Sequence, residues 1–232
     1  MSENNVISKL FDVRNKNIVI TGSAGLLGSQ FALTLTKSGA NVILVDIDST
    51  NNNKLVKLLS KYNSSITQYQ TDISELSDVQ NLKNSLKHDF RQIHGLVNCA
   101  AYTTKASLED TTLKHGQTFE NFSLANWEKS IKINLTGTFL CCQQIGNLMA
   151  RQKSGVIVNI SSIYGLVGAD HRIYGKSGLN VPASYAATKS SIINFTRYLA
   201  AYWHKQNVRV NTLSLGGVMD KKYQNADFIK KY

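Results

Sequence analysis

Six short apolar runs recur along the chain, most of them followed by a stretch with helical spacing. The runs fall at 17–21 (NIVIT), 41–46 (NVILVD), 66–71 (ITQYQT), 93–98 (IHGLVN), 155–161 (GVIVNIS) and 207–214 (NVRVNTLS). Near-continuous apolar runs of this kind fit strands covered on both faces. Between and after them, the pattern predicts helices over 25–38, 50–62, 75–89, 125–151, 183–206 and 223–231. Strands alternating with helices predict a parallel sheet with helices on both faces. The right-handed crossover rule then makes the sheet doubly wound. No linker or repeat interrupts the alternation, so the 232 residues read as one α/β domain. Ligands of such sheets gather at the carboxyl ends of the strands. Gly22, Asp46, Asp72, Asn98, Ser162 and Gly216 all fall at or just past those ends.

The first strand leads into an unusual turn. Residues 17–28 read NIVITGSAGLLG, with Gly22, Gly25 and Gly28 three residues apart. Glycine serves where backbone must approach a pyrophosphate and where a helix packs closely on a strand. The helix that follows offers free N–H groups and a partial positive charge to phosphates. A glycine triplet alone is weak evidence; between a strand and a helix, with a second strand ending in an acid, it points to a dinucleotide site. That acid is Asp46, 18 residues after Gly28. It can accept hydrogen bonds from the adenosine ribose hydroxyls and would repel a 2′-phosphate. Position 47 is Ile rather than a base. NAD(H) is therefore the expected cofactor over NADP(H).

In the second half, Tyr185 and Lys189 sit one helical turn apart in SYAATKS, on one helix face. A free Tyr titrates near ~10. A fixed ammonium nearby is expected to lower that value, so that the phenol can exchange a proton with a carbonyl or alcohol oxygen. Ser162 can hold the same oxygen. Pro182 stands just before this helix and is expected to help start it.

Composition narrows the alternatives. There is no run of 18 apolar residues and no secretory h-region in the polar amino terminus, so cytoplasm is the expected location. Cys99, Cys141 and Cys142 form no CxxC and read as reduced, mostly buried thiols. The five histidines show no ligand spacing, and no metal is expected; His171 alone lies between the candidate catalytic residues. The net charge of +11 is carried by scattered single or paired bases. No basic arm or stripe appears, so neither nucleic acid nor a membrane is an expected partner. The same surface charge would attract a polar or anionic small molecule.

Together these residues resemble the short-chain dehydrogenase/reductase family, in its compact single-domain branch with a Rossmann-like sheet. The resemblance runs from about residue 14 to 220 and rests on TGSAGLLG at 21–28, Asp46, Asp72-Ile73, NCAA at 98–101, Asn134 in IKINLTGTF, GVIVNISS at 155–162, YAATK at 185–189 and RVNTLSLGGV at 209–218. It implies that backbone from Ser23 to Leu27 cradles a pyrophosphate. It implies that Asp72 and Ile73 meet the adenine, that Asn98 and Ala100 line the cofactor groove and hold the strand, and that Val218 borders it. Tyr185 would be the general acid/base, Lys189 would bind the nicotinamide ribose, and Ser162 rather than Ser161 would orient the reacting oxygen. Asn134 would kink its helix and hold a water in a proton relay. A homodimer through the 125–151 and 183–206 helices is the expected assembly.

Three departures from the family pattern stand out. Leu26 occupies the place of the usual middle glycine, though the first and last glycines remain. Ser162 and Tyr185 are 23 residues apart, which implies a longer loop over the substrate. That loop, with SSIYG, IYGKSG and VPASYAATK, is similar to the flagellin-modification oxidoreductases, which implies a sugar-derived or nucleotide-sugar substrate. Finally, the family pattern continues past residue 232 through a helix and a last strand, so the chain reads as shortened and its sixth strand as an edge. The alternatives are a non-catalytic dinucleotide-binding protein and an acyl or steroid-like carbonyl reductase. The complete Asn-Ser-Tyr-Lys set argues against the first. Against the second stand Asp170, His171, Arg172, Lys176, Ser177 and Asn180 in the loop, a polar set for a lipid pocket.

Overall fold

A computed structural model describes residues 10–62, 64–103, 118–173, 180–218 and 230. The expected helix over 223–231 lies outside the described residues, apart from residue 230. Six strands form one sheet: β1 (Asn17–Thr21), β2 (Asn41–Asp46), β3 (Ile66–Gln70), β4 (Gly95–Asn98), β5 (Gly155–Ser162) and β6 (Val208–Leu215). Their order is β3-β2-β1-β4-β5-β6, and every pairing is parallel. This is the doubly wound arrangement that the alternation of elements predicts. The order reverses between β1 and β4, which opens a crevice at their carboxyl ends.

Among the described residues five helices cover the faces: α1 (Leu26–Lys37), α2 (Ser49–Leu59), α3 (Leu76–Asp89), α4 (residues 124–151) and α5 (Ala183–Tyr202). Side chains alternate across a strand, so neighbouring apolar residues serve opposite layers. Ile18, Ile20, Val42 and Leu44 meet Ala32 of α1 with Leu55 and Leu59 of α2. Val19, Ile43, Val45, Leu96 and Ile157 meet Leu82 and Leu86 of α3, Ile145 and Met149 of α4, and Leu199 of α5. Two dry layers explain why β1 and β2 read as unbroken apolar runs. The outer strand β3, ITQYQ, is only half covered and carries polar residues accordingly.

Two departures from the expected boundaries matter for the site. The last helix ends at Tyr202, and a separate 3-10 turn, His204–Gln206, precedes Asn207 in the left-handed region (φ 54°). The helix predicted over 125–151 forms along its whole length, but Ile131–Gly137 and Cys142–Gly146 are wound as π-helix. Among the described residues β6 is an edge strand, and no helix is long and apolar enough to cross a membrane.

Candidate active site

A groove of about 1110 Å³ runs along the carboxyl ends of the strands. One end is built from backbone. Gly22 has φ +67°, and a Cβ there would lie 2.5 Å from the Cα of Ala100. A Cβ at Gly28 would lie 2.0 Å from the carbonyl oxygen of Gly22. These two glycines are sterically required, whereas a Cβ at Gly25 would come no closer than 3.2 Å. Leu26 at the former middle-glycine place is half exposed at the start of α1 and does not close the groove. Thr21 fastens the next wall: its Oγ1 accepts the N–H groups of Cys99 (3.2 Å) and Ala100 (3.4 Å).

Asp46 lines this end with Ile47, Asp72 and Ile73. Its Oδ2 accepts the Ala24 N–H and its Oδ1 the Asp48 N–H, each at 2.9 Å. Each carboxylate oxygen keeps a second acceptor site open. Asp46 thus caps the glycine turn and still presents acceptors to the groove. Asp72 accepts the Ser74 N–H and hydroxyl through one oxygen.

The other end is built from side chains on β5 and α5. Pro182 caps α5, its carbonyl accepting the Tyr185 and Ala186 N–H groups. That places Tyr185 in the first turn and Lys189 one turn on, both lining the groove with Ser162. Ser161 and Ser162 differ in role. The Ser161 hydroxyl donates to the Lys189 carbonyl at 2.6 Å and pins α5 to the sheet. The Ser162 hydroxyl hydrogen-bonds with the Tyr185 phenol and accepts the Tyr164 N–H at 3.2 Å.

The expected lowering of the Tyr185 pKa by Lys189 does not occur. Burial pushes the phenol above its ordinary value, and the Ser162 hydrogen bond offsets this only in part. The Lys189 ammonium lies 5.6 Å from the Tyr185 ring centroid and donates to the Ile160 carbonyl at 2.8 Å instead. Lys189 is itself 5% exposed, and burial pulls its pKa down to about 8. The charge is held by a carbonyl inside the protein, not by the phenol. Cys99 also lines the groove; burial raises its pKa to about 11, so it remains a thiol at neutral pH.

Three expected site residues stand behind the groove rather than on it. Ser23 is fully buried and its hydroxyl donates to Asn52 Oδ1 at 2.8 Å. Asn98 faces into the protein, its amide donating to Asn159 Oδ1 (2.8 Å) and Cys142 Sγ (3.2 Å). It braces β4 on β5 and does not line the groove. Asn134 sits in the first π-helical stretch, the distortion that its motif implies. Its Oδ1 accepts the Tyr102 N–H at 2.6 Å, and its Nδ2 donates to the Tyr102 carbonyl (2.9 Å) and to Thr188 Oγ1 (3.3 Å). Its side chain thus ties the segment after β4 to α5, without a hydrogen bond to Lys189.

The remaining expected residues, Leu27, Ala100 and Val218 among them, line the groove. Sequence reasoning singled out neither Lys129 nor Tyr164, which line it too. Of the irregular segment after β4, Ala101, Tyr102 and Thr103 line the groove; residues 104–117 lie outside the described residues. Of the loop after Ser162, Ile163, Asn180 and Val181 reach the groove. Asp170 and Arg172 pair with each other on the surface, while Lys176 and Ser177 lie outside the described residues. Among the described residues no cluster could hold a metal ion.

A glycine turn that a Cβ would fill, the start of a helix, and an acid with free acceptor sites fit a dinucleotide. A Tyr-Ser-Lys group, residue types able to exchange a proton with a substrate oxygen, lines the other end of the same groove. The comparisons with known proteins agree with this reading. A family model described as short chain dehydrogenase matches residues 16–227. D-threitol dehydrogenase of Mycolicibacterium smegmatis is 29% identical over 216 residues, 92% of this chain and 75% of that protein. NAD-dependent glycerol dehydrogenase of Listeria innocua is 28% identical over 207 residues, 89% of this chain and 72% of that protein. The crystal structure of a short chain dehydrogenase from Leptospira borgpetersenii with bound NAD+ superposes with a TM-score of 0.79 at 31% identity, covering 95% of this chain and 78% of that one. The chain belongs to the short chain dehydrogenase family.

Proposed function

We propose that this protein is an NAD-dependent oxidoreductase that interconverts a hydroxyl and a carbonyl on a sugar-derived metabolite. One observation carries the reading: the glycine turn and the Tyr185-Ser162-Lys189 group open on the same groove. A nicotinamide dinucleotide bound there would supply hydride exchange at carbon. The turn from Gly22 to Gly28 and the start of α1 would face its pyrophosphate. Asp46 would take the adenosine ribose, Asp72 and Ile73 the adenine, and Lys189 the nicotinamide ribose.

The proton is the work of this chain's own residues. With its pKa raised by burial, Tyr185 holds its proton at neutral pH, the form that donates to a carbonyl oxygen. Reduction is therefore the direction for which the unliganded site is poised. Ser162 orients the reacting oxygen and supports the phenolate through its hydrogen bond. Lys189, with a pKa of about 8, is mostly charged at pH 7 and stands behind the phenol as the proton reservoir. Asn134 keeps Tyr102 and α5 in register around that pair.

The names of the two relatives support a polyol-like substrate. On sequence likeness alone, the loop after Ser162 extends the reading to sugars used in surface-glycan or flagellin modification. Half-exposed or exposed Phe139 on α4 and Tyr198 and Tyr202 on α5 support pairing of two copies through these helices. Preference for NAD rests on Asp46 and Ile47.

Fluorescence titration with NADH and NADPH, followed by turnover of a polyol panel, tests the assignment. Tight NADH binding is expected. Tyr185→Phe should cut turnover by roughly 10²–10⁴-fold while leaving NADH affinity within a factor of about two. Turnover that survives this substitution would remove Tyr185 from the acid/base role.

A further inference from the structure

The charges along the groove are segregated. Among the described residues that line it, the carboxylates Asp46, Asp48 and Asp72 all follow β2 and β3. Of the ammonium groups that line it, Lys189 lies on α5, and Lys129 lies on α4 next to Ser130, whose hydroxyl oxygen accepts the Ser184 hydroxyl at 2.9 Å in the first turn of α5. Lys189 is buried and committed to the Ile160 carbonyl. Lys129 is different. It is exposed on α4, and its Nζ lies over the Tyr102 ring, 4.5 Å from the centroid. Among the described residues no carboxylate pairs with it.

The ring that carries Lys129 is itself held. Both backbone polar groups of Tyr102 are gripped by Asn134, and its hydroxyl lies 3.4 Å from Asn126 Oδ1. A cation resting on an aromatic face keeps N–H donors free on its other side. Anchoring also removes part of the freedom that a long side chain would lose on binding an anion. The result is a positive, partly pre-positioned donor at the substrate end, with the groove's negative charge confined to the other end.

We propose that Lys129, seated on Tyr102, binds an anionic group of the substrate, a phosphate monoester or a carboxylate, and so selects acidic or phosphorylated sugar derivatives over neutral polyols. This rests on the oxidoreductase reading above for which end receives substrate. Lys129 and Tyr102 are then specificity residues with no part in the proton transfer at Tyr185.

The test uses the full chain saturated with NADH and three probes: a four-carbon polyol, its terminal phosphate and its terminal carboxylate. Affinities are measured calorimetrically at low salt. At least one anionic probe should bind roughly five-fold or more tightly than the neutral one, the size of a partly exposed charge pair. Lys129→Gln should bring that ratio close to one, and Tyr102→Leu should reduce it. Lys57→Gln, an equal charge change on the far helix α2, should leave the ratio intact. The two anionic probes separate phosphate from carboxylate recognition. Equal binding of all three probes, no binding of either anion, or an unchanged ratio in Lys129→Gln overturns the proposal. Tyr185-dependent turnover is read separately. Its absence would sink the oxidoreductase assignment while leaving the anion preference measurable, and its presence with no anion preference would sink only the subsite.

Discussion

The glycine-turn end of the groove and the end that carries Tyr185 and Lys189 are held by different forces. At the first, the constraints are steric and belong to the backbone: Gly22 and Gly28 leave no room for a Cβ, and Asp46 ties the turn to the end of β2. At the second, the constraints are electrostatic and belong to buried side chains. Lys189 is 5% exposed and answers its charge with the Ile160 carbonyl and the Tyr185 ring, without a carboxylate, while burial keeps Tyr185 neutral. The first end stabilises the fold that it shapes. The second is a liability to the unliganded fold, because a buried charge without an ionic partner is costly. Function and stability coincide at one end and oppose each other at the other.

Substitutions can break this contrast in turn. The largest effect is expected at the steric end. Gly28→Val puts a branched side chain where even a Cβ lies 2.0 Å from the Gly22 carbonyl oxygen, and should destabilise the chain by roughly 3 kcal/mol or more. Urea denaturation together with NADH titration would show both losses; a variant that folds and binds normally would mean the turn can relax.

Lys189→Met should do the opposite at the other end. At pH 7 it should stabilise the unliganded chain by roughly 1–3 kcal/mol while abolishing turnover. The sign follows from the depressed pKa. Below about 8 folded and unfolded chains both carry the Lys189 proton, so the penalty is full; between about 8 and 10.5 the folded chain sheds that proton first. Wild type therefore gains stability as pH rises through that window, and the gap to the variant closes. Thermal melts of both proteins from pH 7 to 10.5 measure it. A gap that favours wild type at pH 7, or that ignores pH, would show that Lys189 is not a burdened charge.

The smallest effect sharpens the boundary between the two ends. Asp46→Ala with Ile47→Arg removes an acceptor for two backbone N–H groups, a loss of about 1 kcal/mol in stability. It should also shift cofactor preference towards NADPH by about ten-fold, near 1.4 kcal/mol. Unchanged preference in paired titrations would leave Asp46 as a turn cap only.

The steric end was largely legible in the sequence because its requirements are local. Apolar runs set the strands, and glycine at 22 and 28 is dictated by contacts within a dozen residues or with the adjacent strand. Leu26, at the place of the usual middle glycine, is 52% exposed and borders the groove without closing it. Tyr185, Lys189 and Ser162 were legible as a set because helix spacing and the end of β5 bring them to one face. Their protonation was not legible. Proximity alone argued for a lowered phenol pKa, but how deeply the pair is buried, and that Lys189 would find the Ile160 carbonyl, depends on how α5 packs against the sheet.

Asn98, Ser23 and Asn134 make the same point from another side. Asn98 holds its strand, as its motif implies, but stands behind the groove, and the side-chain partners of all three are distant in sequence: Asn98 with Asn159, Ser23 with Asn52, and Asn134 with Tyr102 and Thr188. Tyr102 and Lys129 carry no sequence signal, because nothing in a run such as AYTT or WEKS says that one will lie over the other. The alternation of strands and helices, the glycine positions and the spacing of Tyr185 and Lys189 follow from short-range sterics and periodicity, which the amino-acid sequence determines by itself. Which polar atoms lose water, which charge finds a carbonyl, and which cation is left facing the substrate are set by packing between remote elements, and only the tertiary structure decides them.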